Sequence, residues 1–538
     1  MAKTIEISRS QIDNILQRLE NNSIQKEDYT LLKLLVSTVI SINEELIKKN
    51  ISIKRLRKLF AIQSEKSKDI LPASDKNKEK PSNGSKQGTK DQDKKKGKPK
   101  GHGRNGQVAY KNAEKKFVPH ETYKPGCPCP ECTKGKLYPV KDNGVFVHIT
   151  AQEPFTATIY ELQKLRCNLC GEIFTAQAPE HTNNSKYDES VAAMIAVLKY
   201  GAGFPFYRID TLQDNFGVPL PDSTQWEILE DKAATPLLIY DVLTTLAAQG
   251  KVIHNDDTKM KVLSLIKENK QDPDRKRKGI FTSGFISRTD KFDIALYCTG
   301  RNTAGENLKE ILEHRKKGIE IPIQMCDASN NNLQNEFYVL LANCLTHGRR
   351  KFADLIDVFS QECIYIIEAL RDVYHNDSIT KQERMTDHDR LAYHQQHSGP
   401  IMNKLYAWMT AQFAEKKVEP NSALGGAISY MIKHWDALTL FLRKAGAPLD
   451  NNIVERALKK VILHRKNSLF YKTEHGARIG DCFMSIIHTC ELNRVNSLHY
   501  LIQVLKNRLA VVAAPELWLP WNYQSQLRDQ QNQVGLKV

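Results

Sequence analysis

The sequence predicts a multidomain α+β protein, and three observations carry that prediction. An apolar heptad near the N-terminus is typical of a coiled coil. Two CxxC pairs are typical of a small zinc domain. A later block of strands is followed by a long helical stretch and by a helix that carries a single acid, Glu455. A chain of 538 residues is longer than one hydrophobic core usually serves, which agrees with several domains.

The composition favours a polyanionic partner. The chain has 78 Lys or Arg against 62 Asp or Glu, a net charge of +16, which indicates nucleic acid first and an anionic membrane surface second. No apolar run reaches the length of a membrane span, and the N-terminus lacks the apolar core of a signal peptide. The eleven cysteines indicate metal binding and free thiols rather than disulfides. We therefore expect a soluble, cytoplasmic protein without a membrane partner.

Residues 1–62 predict a helix that forms a coiled coil and makes the protein a homo-oligomer. One apolar seam repeats every seven residues, and a second falls three residues after it, broken only by Lys49. The alternative is an amphipathic helix packed on its own domain, which the linker that follows makes less favourable. The first seam consists of Leu32, Val39, Leu46, Ile53 and Phe60, and the second of Leu35, Ile42 and Leu56.

Residues 63–115 predict a basic disordered linker. Its first part, residues 63–106, has 13 Lys or Arg against 6 Asp or Glu, a net charge of +7, and almost no large apolar side chains. Such a stretch cannot bury enough apolar surface to offset its chain entropy. It adds salt-sensitive affinity for DNA or serves as a solubilising tether, and the two roles are compatible.

Residues 116–180 predict a zinc ribbon. Each CxxC pair suits a tight turn that supplies two thiolates to one tetrahedral Zn²⁺, and four thiolates leave no open position, so the zinc should be structural. The segment between the pairs has the β-branched and aromatic content of a hairpin. A redox dithiol is the weaker interpretation because there are two pairs. The expected ligands are Cys129, Cys132, Cys167 and Cys170, and Cys127 is an extra thiol that could compete for the metal.

Residues 181–245 predict a helix-turn-helix-like region. Two helical patterns end at Gly201 and Gly217, and a third restarts behind Asp222 or Ser223, either of which is a good N-cap. A short helix, a glycine turn and a capped third helix suit a DNA-binding helix-turn-helix, although ordinary three-helix bundles share the pattern. The basic linker and the zinc ribbon that precede it favour DNA binding.

The next region predicts strands that carry acids. The stretch "KVIHNDDTKMKVLSL" is predicted as one strand with Asp256 and Asp257, and "IEIPIQMCDAS" as a strand that ends at Asp327. Two strands and a helix lie between them, and the chain is mostly helical from Lys351 to about Ala445. Three strands, a helix, a strand and a late acidic helix are the order of an RNase H-like fold, in which the three acids meet.

Three carboxylates at one point repel each other unless cations occupy the site. Two Mg²⁺ or Mn²⁺ ions about 4 Å apart would relieve this repulsion and stabilise the attacking and leaving oxygens of a phosphoryl transfer. Each acid has a plainer alternative. Asp256 and Asp257 could start a turn, and Asp327 could cap a loop. Glu455 lies at the edge of the apolar stripe of its helix, which suits a cleft or an ordinary ion pair.

These ordered motifs resemble the transposases of the IS66 family of bacterial insertion sequences, which are DDE enzymes. The resemblance runs nearly end to end, and its most specific element is "DNN-x-x-ER…RKN", which begins at Asp450. The motifs that carry it are "KLFAIQSEK", "PKGHGRN", the two CxxC pairs, "KYGAGFPFYR", "HNDDT", "THGRRKF", "PLDNNIVERALKKVILHRKNSLF", "GARIGDCFMSIIHTCELNRVN" and "ELWLPWN".

The resemblance implies an RNase H-like catalytic domain, interrupted by a helical insertion, in which Asp256, Asp327 and Glu455 hold two Mg²⁺ or Mn²⁺ ions. The family's first aspartate lies in an Asp-Glu-Thr motif that here reads "DDT", and its second is usually followed by Gly-Tyr, whereas this chain has "AS". A water or a DNA 3′-hydroxyl would attack in line without a covalent enzyme intermediate. The implied bounds are 246–353 and 446–495 for the catalytic domain, 354–445 for the insertion and 496–538 for a helical tail.

The implied function is a DNA transposase that cuts and joins the ends of an insertion sequence at the bacterial nucleoid. The implied partners are double-stranded DNA, as terminal inverted repeats and as target, and accessory proteins of the same element. The open alternatives are a catalytically silent DNA-binding regulator and a nuclease of the same fold that joins no strands. Candidates for holding DNA are Arg349, Arg350, Arg465, Lys466 and Asn467, and general surface charge is the alternative for the four basic residues.

Overall fold

The computed structural model describes residues 185–535 continuously, except for residue 335. The heptad positions of the predicted coiled coil, the basic linker and the four predicted zinc ligands lie outside the described residues. The described stretches nearer the N-terminus are residues 17–18, 25, 28–29, 119, 122–128, 136–139, 152–166 and 173–180.

The chain divides into two compact units. The central unit comprises Ile321–Leu333 and Tyr338–Asn452. The flanking unit, which surrounds the central unit in sequence, comprises Lys76–Glu320, Gln334–Phe337 and Ile453–Val538.

The described helices and strands follow one another in an order that places a strand block before the long helical stretch. The strands are β1 (Lys164–Arg166), β2 (Ile173–Thr175), β3 (Val252–Lys259), β4 (Phe281–Arg288), β5 (Asp293–Gly300), β6 (Ile323–Cys326) and β7 (Leu340–Asn343). The helices are α1 (Glu189–Ala196), α2 (Phe206–Asn215), α3 (Asp222–Lys232), α4 (Ala234–Ala247), α5 (Leu263–Gln271), α6 (Ala304–Glu313), α7 (Leu345–Ala353), α8 (Ser360–Gln382), α9 (Asp387–His397), α10 (Gly399–Ala414), α11 (Ala423–Lys433), α12 (Trp435–Leu438), α13 (Asn452–Ser468), α14 (Glu474–Leu492), α15 (Ser497–Lys506), α16 (Arg508–Ala513) and α17 (Tyr523–Gly535).

At each CxxC motif, the segment before the motif forms antiparallel hydrogen bonds with the segment after it. Around the first pair, the Gly126 N–H donates to the Leu137 carbonyl at 2.7 Å, and the Leu137 N–H donates to the Cys127 carbonyl at 2.9 Å. Around the second pair, β1 pairs with β2. The hairpin predicted between the pairs is wrong in its described part, since residues 152–163 contain no strand and β1 pairs beyond the second CxxC. β-Branched content favours an extended backbone but does not choose its partner.

The first helical region of the flanking unit has helices where the sequence predicts them. α1 continues through a π-helical segment, Val197–Gly201, and α2 ends before a turn in which Gly217 has a φ of +74°. α3 begins at Asp222, so this residue lies inside the helix rather than before it, and its Oδ1 accepts the Ser223 N–H at 2.7 Å.

β3, β4 and β5 form an antiparallel meander with β4 in the middle. The predicted strand "KVIHNDDTKMKVLSL" is wrong in its second half, because β3 ends at Lys259 and α5 begins at Leu263. The last residues of that stretch continue into "IKENKQ", whose long polar side chains favour a helix.

β5 is the edge strand of the meander, and α14 lies along this edge. Polar side chains at every fourth residue of α14 accept hydrogen bonds from the backbone of β5. The backbone N–H groups of alternate β5 residues donate to one side chain each on successive turns of α14, at distances from 2.6 to 3.3 Å. This ladder satisfies donors that an edge strand would otherwise expose. Its four pairs are Asp293 with Asn493, Ala295 with Thr489, Tyr297 with Ser485, and Thr299 with Asp481.

In the central unit, β6 and β7 run parallel, with Cys326 opposite Asn343, and α7 follows β7 directly. Helices α8 to α12 confirm the predicted helical stretch. α8 and α9 are joined by buried Asp377, which accepts hydrogen bonds from Arg390 at 2.9 Å. Burial opposes the charge of this carboxylate, but His394, Arg390 and Lys381 outweigh burial and hold its pKa well below the usual range. Among the described residues, no helix is both long and apolar enough to cross a membrane.

Candidate active site and nucleic-acid groove

The two adjacent aspartates of β3 point to opposite faces of the β3–β5 meander. Asp256 lies opposite Gly284 on β4, and Asp257 lies opposite Ser283. Directly opposed residues of an antiparallel pair share a face, and successive residues alternate. A Cβ on Gly284 would lie 2.9 Å from Leu458 Cδ2 of α13, so α13 covers the face of Asp256. We call this the Asp256 face.

The opposite face, which we call the Asp257 face, is covered by α6 and α4. Asn307 of α6 donates to the Ser283 hydroxyl at 2.8 Å, and Ser283 is the cross-strand partner of Asp257. The Tyr240 hydroxyl of α4 lies 3.4 Å from Cys298 Sγ, which is opposite Ser283 on β5. Asp256 therefore shares a face with the helix that carries Glu455, and Asp257 does not.

α13 is anchored to the Asp256 face at two further points. The Tyr297 hydroxyl donates to the Ala457 carbonyl at 3.1 Å. Arg465 Nη1 lies 3.4 Å from Thr258 Oγ1 and also donates to the Lys259 carbonyl. Since Leu458 packs beside Gly284, the cross-strand partner of Asp256, and Arg465 binds the end of β3, α13 runs in the same direction as β3. Glu455 lies half-buried in the first turn of α13, one turn before Leu458.

In the central unit, Asp327 is the first residue after β6. Its Oδ1 accepts the Ser329 N–H at 3.0 Å and a hydrogen bond from Asn332 Nδ2. These bonds hold a half-buried carboxylate at the carboxyl end of the parallel pair. Burial raises the pKa of the Tyr430 phenol to about 12, and the negative charge of Asp327 acts in the same direction.

The segment that leads into α13 lies at the same end of the parallel pair. The Cys344 N–H donates to the Cys326 carbonyl at 3.0 Å, which joins the end of β7 to the end of β6. The Asn451 N–H lies 3.2 Å from Cys344 Sγ, and the Leu345 N–H donates to the Leu449 carbonyl at 3.0 Å. The segment 449–451, which precedes α13, thus lies beside the end of β7.

The five predicted DNA-binding residues occupy different surroundings. Arg349 is only 5% exposed, so general surface charge does not describe it. Arg350 is half-buried, and Arg465 is engaged with the end of β3. Lys466 is exposed, and Asn467 donates Nδ2 to the Gly203 carbonyl at 2.9 Å. Lys466 and Asn467 both line a groove of the flanking unit.

This groove, which we call the α2–α13 groove, encloses about 1130 Å³. Its walls are α2, α3, the end of α13, the connection to α14 and the first turn of α14. Sequence reasoning missed most of its side chains, although "FPFYR" and "LFYK" both place aromatic residues next to a basic one. The missed residues are Lys199, Phe206, Tyr207, Arg208, Trp226, Phe470, Tyr471 and Lys472.

Beneath the groove, His464 is 2% exposed and stacks between Tyr200 and Tyr471, with ring centroids 5.7 and 5.0 Å away. Burial, with the charge of Lys199 acting in the same direction, lowers the pKa of His464 to about 3, so this histidine is neutral near pH 7. Burial also lowers the pKa of Lys199 to about 8. Its ammonium lies 4.0 Å from the centre of the Phe206 ring.

The model of the IS66 family of transposases matches residues 184–479, more than half of the chain, and the protein belongs to that family. Membership suggests a transposase and implies DNA binding. The resemblance seen in the motifs is thereby confirmed.

Three proteins from Sinorhizobium fredii, all described as uncharacterized, are similar to the chain. Protein y4jD is 27% identical over 393 residues, which cover 67% of this chain and 71% of y4jD. Protein y4hP is 26% identical over 390 residues, which cover 67% of each chain. Protein y4qI is 26% identical over 363 residues, which cover 65% of this chain and 66% of y4qI.

Proposed function

We propose that the protein is an active DDE transposase whose metal-binding carboxylates are Asp256, Asp327 and Glu455. The observation that carries the proposal is the packing of α13 on the Asp256 face, with Leu458 in the space beside Gly284. Asp327, the first residue after β6, is assigned as the third ligand from the order of the acids along the chain. RNase H-like enzymes combine acids from these same positions along the chain.

The donor set fits Mg²⁺ or Mn²⁺, because three carboxylates offer only hard oxygen ligands. Two such ions, when bound, stabilise the attacking and leaving oxygens of a phosphodiester in an in-line displacement. Residues of the chain position the site. Gly284 lets α13 approach the sheet, and Arg465 fixes the end of β3 against α13. Lys466, which is exposed and lines the α2–α13 groove, would contact a DNA phosphate.

The attacking group is a water in the cleavage step and a DNA 3′-hydroxyl in the joining step. In each step one phosphorus–oxygen bond forms as another breaks. Attack by water leaves a 5′-phosphate and a free 3′-hydroxyl, whereas attack by that 3′-hydroxyl exchanges one phosphodiester for another and releases a 3′-hydroxyl of the target, so neither step needs an external energy source. The proposal assigns no covalent role to any serine or tyrosine of the chain. It also retains a structural Zn²⁺ on Cys129, Cys132, Cys167 and Cys170, which metal analysis of freshly reduced protein tests directly.

The experiment compares two glutamates that each lie in the first turn of a helix, Glu455 in α13 and Glu474 in α14. The substrate is linear DNA that ends in the inverted repeats flanking the gene, with Mg²⁺ present. Glu455→Gln should abolish cleavage and joining, because it removes a charged ligand. Glu474→Gln should leave both near the rate of the unmodified protein. Normal cleavage by Glu455→Gln defeats the mechanism, and cleavage without joining supports the nuclease alternative.

A further inference from the structure

The α2–α13 groove has a composition that no metal-binding role explains. Tyr207 is 53% exposed and Phe470 is 42% exposed, so two large rings face solvent within one concave surface. Lys199, Lys466 and Lys472 also line it. Exposed aromatic rings beside basic side chains are the features with which proteins bind unpaired nucleotides, because bases stack on the rings while cations contact the phosphates.

The connection between α13 and α14 is held in a shape that presents Phe470. Leu469 has a φ of +68°, a left-handed conformation that is costly for a leucine. The next residues are fixed to the chain beyond β3. The Tyr471 N–H donates to the Lys261 carbonyl, and the Leu263 N–H donates to the Tyr471 carbonyl, both at 2.9 Å. A strained backbone that is held in place directly after an exposed ring is typical of a functional surface.

The lysines and the glutamates of the groove lie on different walls. The lysines lie on the π-helical segment that follows α1 and around the end of α13, whereas α3 contributes Glu227 and Glu230, and Glu230 pairs with His475 at 3.0 Å. Carboxylates repel phosphate but accept hydrogen bonds from the N–H groups of unpaired bases, which include the ring N3–H of thymine as well as the amino groups of the other bases. A nucleotide would therefore lie with its phosphate toward the lysines and its base toward α3. The volume of about 1130 Å³ suits a nucleotide and is too small for a duplex.

We propose that the α2–α13 groove binds an unpaired base of the DNA on which the protein acts. The inference rests on the proposed function for the identity of that DNA. Lys466 lies eleven residues after Glu455 on α13, which corresponds to about 16 Å along the helix axis. At 3.4 Å per step, that distance spans roughly five steps of a DNA strand. The groove would thus hold a base a few nucleotides from the phosphodiester that is cut.

The test measures binding without metal, so that it does not depend on catalysis. Fluorescence anisotropy in EDTA follows a labelled oligothymidylate, a blunt duplex, and the same duplex with one unpaired thymine. The double variant Tyr207→Ala/Phe470→Ala should weaken binding of the oligothymidylate and of the unpaired-thymine duplex about tenfold or more, because stacking is lost. Blunt-duplex binding should change less than about twofold. Tyr338→Ala, which removes a 75% exposed ring outside the groove, should change none of the three.

A second pair of variants separates the groove from general surface charge. Lys472→Ala should weaken binding of the oligothymidylate and reduce its salt dependence by about one counterion, whereas exposed Lys506→Ala outside the groove should do neither. Equal losses on all three DNAs, or no loss on any, would overturn the inference. Cleavage by the double variant at the normal rate with unchanged binding defeats the inference alone. A protein that binds as described but never cleaves defeats the proposed function alone.

Discussion

Asp256 and Asp257 are neighbours in sequence, yet they lie on faces of one sheet with different surroundings. The Asp256 face is covered by α13, which packs Leu458 beside Gly284 and carries Glu455. The Asp257 face is covered by helices that bind it through Asn307 and Tyr240, as a structural layer would. The register of β3 with β4, rather than the identity of the acid, therefore decides which aspartate shares a face with the helix that carries Glu455.

The largest expected effect concerns Asp481, which pairs with Thr299 on the Asp256 face. Burial raises the pKa of Asp481 to about 7 despite two hydrogen bonds from Thr299. Between about pH 4 and pH 7 the folded protein holds a proton that the unfolded chain has lost. The free energy of unfolding should therefore fall as the pH rises through this window, by up to about 4 kcal/mol from this group.

Asp481→Asn removes the titration but keeps an oxygen for the Thr299 N–H. The variant should lose this part of the pH dependence and gain stability relative to the unmodified protein as the pH rises from 4 to 8. Urea unfolding across that range measures the difference. Parallel curves for the two proteins would show that Asp481 is not protonated in the fold.

Gly284→Val tests the close approach of α13. A side chain at Gly284 meets Leu458, so we expect a loss of about 1–3 kcal/mol in the free energy of unfolding and slower DNA cleavage. Adding Leu458→Ala should recover part of the loss, which a double-mutant cycle detects as non-additivity. Gly300→Ala is the control, since a Cβ there meets no atom within 4 Å. Purely additive losses would contradict the contact.

Asn307→Ala tests the Asp257 face and should have the smallest effect. It leaves the buried Ser283 hydroxyl without its donor from α6, which should lower the free energy of unfolding by about 1 kcal/mol. Cleavage in Mg²⁺ should stay near the unmodified rate, because this face holds no proposed ligand. A loss of cleavage without a loss of stability would indicate that the Asp257 face takes part in the chemistry.

The order of helices and strands was predictable because each has a local pattern. Short stretches rich in β-branched and apolar residues indicated β3 and β6, and the apolar stripe of α13 placed Glu455 at its edge, where the structure finds it half-buried. α5 was missed because "VLSLI" is short and apolar, and such runs fit a strand or a helix equally well. The partner of β1 was missed because pairing depends on the turn between strands rather than on their composition.

The choice between Asp256 and Asp257 could not be made from the sequence. Alternation along a strand places the two on opposite faces, but it does not say which helix covers each face. The α2–α13 groove could not be predicted from the sequence for a similar reason. Lys199 reaches Ser468 across 269 positions of sequence, and no local pattern reports a contact of that separation. The hydrogen bonds between α14 and β5 could not be predicted either, because the four-residue spacing of polar side chains on α14 does not indicate which strand they contact.

The most direct test of the account compares Asp256→Asn with Asp257→Asn in one cleavage assay on element-end DNA with Mg²⁺. We expect Asp256→Asn to slow strand cleavage by at least about a hundredfold, because a ligand carboxylate is lost from the site. Asp257→Asn should remain within about tenfold of the unmodified protein, because it changes only the structural face. Equal losses, or a larger loss for Asp257→Asn, would contradict the assignment of the active site to the Asp256 face.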